Sequence, residues 1–170
     1  MTSSDNKRKE LEHILSNGNF VRITSAIKLL REEPPFRGAI ELIVAFYNKS
    51  DNSSIKRLIS DFLNDLKDKS LRNEIMAEIR KDLKPETLRM LASSCWQSGL
   101  DYSDFSSDFA RLFTAGDYMT ALECFTVIES SVYNMSGAER DAIKKTIQQG
   151  PVSKNIDYKA LAAELISILE

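Results

Sequence analysis

Apolar residues recur in this chain about every 33 positions, and that spacing constrains the fold more than any other feature. Ile55, Leu58, Ile59, Phe62 and Leu63 make one stripe at helical spacing. A step of 33 lands on Leu88, Leu91, Ala92, Cys95 and Trp96, and another on Ala121, Cys124, Phe125 and Ile128. A period of about 20–50 residues marks supersecondary units stacked on their neighbours, not one closed core. A second ladder runs in step with the first. Phe36, Ile40 and Val44 are followed by Leu71, Ile75 and Ile79, then by Phe105, Phe109 and Phe113, then by Glu139, Ile143 and Ile147. Leu11 and Leu15 begin this ladder. Ile23, Ala26, Ile27 and Leu30 extend the first one backward, and Leu161, Leu165, Ile168 and Leu169 extend it forward.

Two ladders on alternate helices imply five helix–turn–helix units. A lone hairpin cannot bury both of its apolar faces. Stacking does so, at roughly 1.5–3 kcal/mol per large side chain. Start and stop signals agree. Asn17-Gly18 ends a first helix and Asn19 caps a second, which stops before Pro34-Pro35. Pro35 sits at the expected first turn of a third helix, where its missing N–H costs nothing. Asp51-Asn52-Ser53-Ser54 opens the fourth, Ser70 the fifth and Pro85 the sixth. Gly99 and Gly116 close the sixth and seventh, Ser103 or Asp104 caps the seventh, and Asp117 caps the eighth. Ser136 and Glu139 make a capping box before the ninth helix. Gly150-Pro151 ends that helix, and Asp157 starts a tenth. The expectation is an all-α superhelix, a right-handed solenoid of about five antiparallel hairpins forming a single domain over residues 1–170. Glu139 and Glu164 fall on nominal core positions, as expected where the last unit faces water.

Composition fits this reading. Hydrophobic residues are 42% and charged residues 28%, with six Gly and four Pro, and β-branched alternation is missing. The first residues, MTSSDNKRKELEH, are polar and unlike a signal peptide. No apolar run approaches the roughly 18–20 residues that cross a bilayer. A soluble, cytoplasmic protein without a membrane partner is expected, with Cys95 and Cys124 as buried free thiols in a reducing compartment.

In the second unit, Pro35, Asp51 and Ile55-Lys56-Arg57 occupy the Pro, Asp and apolar–basic positions of a HEAT repeat, and the third unit repeats Leu88-Arg89. The chain thereby resembles the HEAT-like or armadillo-like α-solenoid family over nearly its whole length, although the remaining units depart from the pattern. Phe109-Ala110-Arg111-Leu112-Phe113, Gly116-Asp117-Tyr118 and Ala121 resemble a tetratricopeptide repeat with the spacing one residue short. Gly18-Asn19-Phe20 echoes that pattern, so the tetratricopeptide geometry stays open as the alternative.

Catalytic chemistry is poorly supplied. His13 is the one histidine, and with two cysteines it falls short of the roughly four ligands of a structural zinc site. Phosphate loops, nucleophile elbows and metalloprotease motifs do not occur. The paired acids (Glu32 with Glu33, Asp65 with Asp68, and Asp101 with Asp104 and Asp108) stand at caps and loops, where they serve helix dipoles. No enzyme activity, cofactor or metal is expected.

A partner surface is the better-supplied reading. Residues 1–85 hold 16 Lys+Arg against 13 Asp+Glu, a net of +3, and residues 86–170 hold 7 against 12, a net of −5. No lysine occurs between Lys84 and Lys144, a stretch that contains the single tryptophan. Lysine depletion beside aromatic and Met enrichment is the composition of interface cores. The resemblance implies that the second helix of each hairpin lines a concave face where partners bind. On those helices three columns align at the 33 step: Ser60, Ser93 and Thr126; Asn64, Gln97 and Ser130; Arg57, Met90 and Glu123. Together with Arg89, Trp96 and Tyr102 they form the candidate site for another protein's extended or basic segment. Small hydroxyls in that row also suit close helix packing. The alternative function is nucleic-acid association through Arg22, Lys28, Lys56 and Arg57 in the basic N-terminal units. HEAT-like folds include DNA glycosylases that hold the duplex in such a face.

Overall fold

The computed structural model describes residues 3–150 and 156–170. Among these residues the chain forms ten α-helices and no strand. They are α1 (Ser3–Asn17), α2 (Phe20–Glu32), α3 (Ala39–Lys49), α4 (Ser53–Asn64), α5 (Arg72–Ile79), α6 (Pro85–Gln97), α7 (Ser106–Ala115), α8 (Tyr118–Ser131), α9 (Gly137–Gln148) and α10 (Ile156–Ile168). Single 3₁₀ turns lie at Lys69–Leu71, Ser103–Phe105 and Val132–Asn134. The all-α expectation therefore holds. Pro151, read as part of the stop after α9, lies outside the described residues. None of the helices is long and apolar enough to cross a membrane, among the residues described.

The chain divides into two compact units, Met1–Thr87 and Leu88–Glu170. In the first, α1 packs on α2 and α3, α2 on α4, and α3 on α4 and α5. In the second, α7 packs on α8 and α9, while α10 packs on α8 and α9. Contact with the next helix and the next but one is what stacked hairpins produce. Odd helices make one layer of each unit and even helices the other.

Local signals set most of the helix ends. Asn19 Oδ1 accepts from the Arg22 N–H (3.0 Å) and Asp117 Oδ1 from the Thr120 N–H (2.7 Å). These two caps share one extended backbone geometry, φ −77° and ψ 172° at Asn19 against φ −70° and ψ 172° at Asp117. The two Gly-Asx-aromatic turns are thus the same device used twice. Ser136 and Glu139 form the expected capping box. Its two hydrogen bonds hold the Glu139 carboxyl below the usual range, first through the Ser136 side chain and then through its backbone.

The start of α3 differs from expectation. Pro34, Pro35 and Phe36 are non-helical, and the helix begins at Ala39 after Gly38. Gly38 has φ +87°, and a Cβ there would lie 3.1 Å from an Arg8 guanidinium nitrogen. The left-handed turn requires glycine, so Gly38 and not Pro35 fixes this helix start. Two other starts are tightened into 3₁₀ turns capped by Asp68 and Asp101, whose carboxylates accept from the Ser70 and Ser103 N–H groups at 2.8 and 2.9 Å.

Most rungs of both ladders are buried. Ile27, Ile40, Ile59, Leu63 and Ile75 fill the first unit, and Leu91, Phe109, Phe113, Ile128 and Ile143 the second. Glu139 and Glu164 are exposed, as their place on the outer unit implies. Trp96 departs from its ladder. Its register partner one step back, Leu63, is 1% exposed, whereas Trp96 is 39% exposed.

Candidate functional site

Arg57, Ser60 and Asn64 stand on α4 in the first unit, and the other candidates belong to the second. On α6 and α8 the helical repeat brings Arg89, Ser93, Trp96 and Gln97 to one face, with Glu123, Thr126 and Ser130 on the facing side of the neighbouring helix. The indole N–H of Trp96 donates to Glu123 Oε2 at 2.7 Å and ties the two helices at their surface. A charge-assisted bond of this length holds the ring in one orientation.

The polar columns are already engaged within their own helices. The Ser60 hydroxyl donates to the Lys56 carbonyl (3.0 Å), Thr126 to Leu122 (3.1 Å) and Ser130 to Val127 (2.9 Å). Gln97 Nε2 donates to Ser93 Oγ at 2.8 Å. The hydroxyl donors of Ser60, Thr126 and Ser130 are thus spent locally, whereas the Ser93 hydroxyl accepts. Arg89 is half-buried, and its Nε is enclosed without a hydrogen-bond partner. Leaving such a donor unmet costs about 1–3 kcal/mol.

Two candidates are corrected. Met90, placed in the surface column with Arg57 and Glu123, is buried, and so is Tyr102. Met90 falls on the buried line of α6, three residues after Thr87 and four before Ser94, which are 1% and 2% exposed. Tyr102 packs edge-on against Phe109, with ring centres 6.0 Å apart, and its hydroxyl also bonds Cys95. Both are core residues of the second unit. Conversely, sequence reasoning passed over Met119. It lies one turn before Glu123 on α8 and is 44% exposed beside the tryptophan tie. The signal for it was the i, i+4 spacing to Glu123, which alignment by the 33 step conceals.

Cys95 and Cys124 are free and buried. Burial pushes the Cys95 thiol up to about 12, against smaller opposing hydrogen bonds from Tyr102 and Ser94. Burial also raises Cys124, with a further contribution from Cys95 beside it. Thiols held protonated in this way are poor nucleophiles. Among the described residues no three His, Cys, Asp or Glu side chains are grouped to hold a metal ion. His13 is exposed, and its Nδ1 lies 3.3 Å from Asn17 Nδ2.

The basic N-terminal units look different once their partners are visible. Lys7 pairs with Glu33, Arg8 with Glu41, Arg31 with Asp65, Lys56 with Glu86, and Lys81 with Glu78 and Glu41. Lys56 also lies 5.0 Å from the Tyr47 ring centre. The Glu86 hydrogen bond is the main cause that raises its pKa. Arg22, Lys28 and Arg57 are exposed. No protein-family model, curated protein or solved structure matches the chain.

Proposed function

We propose that the chain is a HEAT-like α-solenoid interaction module, working in the cytoplasm, whose α6–α8 face binds an extended, basic segment of another protein. The observation that carries this reading is Trp96. A large aromatic stands at the surface where the repeat would bury it, and Glu123 orients it. Tryptophan is the residue most enriched among interface anchors. The surroundings suit a basic partner. Residues 88–170 hold 7 Lys+Arg against 11 Asp+Glu, a net of −4, and Glu129 is exposed one repeat step beyond Trp96. Met119 adds an adaptable apolar contact, and the acceptor oxygens of Ser93, Thr126 and Ser130 suit the N–H groups of an extended backbone.

Binding to a panel of fluorescent peptides graded from acidic to basic tests this. The wild-type chain retains the basic members, and Trp96→Ala with Gln97→Ala loses them while keeping its helical circular dichroism. Equal retention by the variant, or no preference among the peptides, refutes the assignment.

The nucleic-acid alternative has less to draw on. Its Lys56 is paired with Glu86, and Arg22, Lys28 and Arg57 do not make the concentrated stripe that phosphate recognition uses.

A further inference from the structure

The strongest feature outside the α6–α8 face lies where the even-helix ladder begins. On α2, Val21, Ser25 and Leu29 are spaced four apart along one face. All three are exposed, Val21 at 66% and Leu29 at 51%. The ladder rungs of this helix, Ile23 and Ile27, are buried on its opposite side. Val21, Ser25 and Leu29 therefore form a second, exposed apolar strip that the ladder does not use. With α1 this strip walls a groove of about 380 Å³ lined by Leu11, Ile14, Val21 and Leu29 together with the charged Lys7, Glu10 and Glu33.

The charges on this face point to its occupant. Arg22 lies in the first turn of α2, Glu32 is its last residue, and both are exposed. At about 1.5 Å per residue they are roughly 15 Å apart along one helix and do not meet within a chain. We infer that a second copy of this chain covers the face, α2 against α2 in antiparallel order about a two-fold axis near Ser25 and Leu29. That arrangement sets Arg22 of each copy beside Glu32 of the other, twice by symmetry. It also packs Leu29 against Ser25 and Val21 over the groove. Parallel pairing would instead set Arg22 against Arg22. Antiparallel helices further oppose their dipoles favourably. The contact is isologous and closed, so it yields a dimer and not a fibre.

Sedimentation equilibrium of the full chain, from micromolar to sub-millimolar concentration, tests the inference. The wild-type mass rises with concentration from 19.2 kDa toward twice that value. Leu29→Asp stays monomeric, Arg22→Glu weakens association by roughly tenfold or more, and Arg22→Glu with Glu32→Arg restores it. All of these positions are exposed, and unchanged helical circular dichroism and Trp96 emission verify each fold. If Leu29→Asp fails to fold, the charge-reversal pair decides. A wild-type mass that never leaves the monomer value overturns the inference. So does a dimer indifferent to Leu29→Asp, or a double variant no tighter than Arg22→Glu alone.

Discussion

The two units of this chain solve one packing problem by different means. In the first, an aliphatic core of Ile27, Ile40, Ile43, Ile59 and Ile75 is laced by ion pairs that run from helix to helix. Arg8 on α1 reaches Glu41 on α3, Arg31 on α2 reaches Asp65 at the end of α4, and Lys56 on α4 reaches Glu86 on α6. In the second, the pairs Arg111–Asp108 and Lys144–Asp141 stay within one helix. The core there combines aliphatic residues with contacting aromatic rings. Tyr102 meets Phe105 and Phe109, and Phe113 meets Tyr158 at 5.1 Å between ring centres. Between α6 and α8 the surface tie is the Trp96–Glu123 hydrogen bond. The first unit thus ties its helices together with charges, where the second sets rings against one another.

The largest way to break this comparison is to open the core of the second unit. Phe113 is 0% exposed, and Phe113→Ala should cost about 3–5 kcal/mol in urea unfolding. Hydrogen exchange should show the loss concentrated in residues 88–170, and equal loss in both units would contradict the division. The first unit should instead respond to charge removal at Glu78. That carboxylate is buried and pairs with Lys81 at 2.7 Å, the main cause that raises the lysine's pKa. Lys81→Ala leaves it unmet and should cost about 1–3 kcal/mol, against a few tenths for Arg111→Ala at an exposed i, i+3 pair.

A smaller effect separates the units by salt. Screening acts on the half-exposed helix-to-helix pairs, each worth about 0–1 kcal/mol, and leaves ring packing untouched. Molar NaCl should therefore lower exchange protection in α1 to α4 more than in α7 and α8. The smallest is a pH effect at α9. Glu139 is held below its ordinary value of 4.5, so its cap is fully made above that value and is lost as pH falls through the lowered one. Exchange protection at the first turn of α9 should fall only in that acid window, and Glu139→Gln should remove the dependence.

Much of this architecture was legible in the sequence. Both ladders, the Asn19 and Asp117 caps and the Ser136–Glu139 box are local or periodic, and periodicity reports burial wherever a helix is regular. The start of α3 was not legible, because Gly38 is demanded by a left-handed turn that no pattern announces. Within the candidate face, Ser93 and Thr126 are both half-buried, and Gln97 and Ser130 are both exposed. Register failed at Met90 and Tyr102. A column fixes where a Cα lies, while burial of a flexible Met or a loop tyrosine depends on which neighbouring core has room. Trp96 was read both as a rung of the ladder and as a candidate for the partner surface, and the choice between them depends on its pairing with Glu123, 27 and not 33 residues away.

Trp96 is the single tryptophan, so its indole N–H gives one resolved signal at the centre of the proposed surface. The most direct test follows that signal by NMR as a basic, extended peptide is added, beside an acidic peptide of equal length. The account predicts a saturable shift of the Trp96 indole resonance, with backbone shifts confined to α6 and α8, for the basic peptide alone. An indole signal that stays in place while the peptide binds elsewhere, or that moves equally for both peptides, would contradict it.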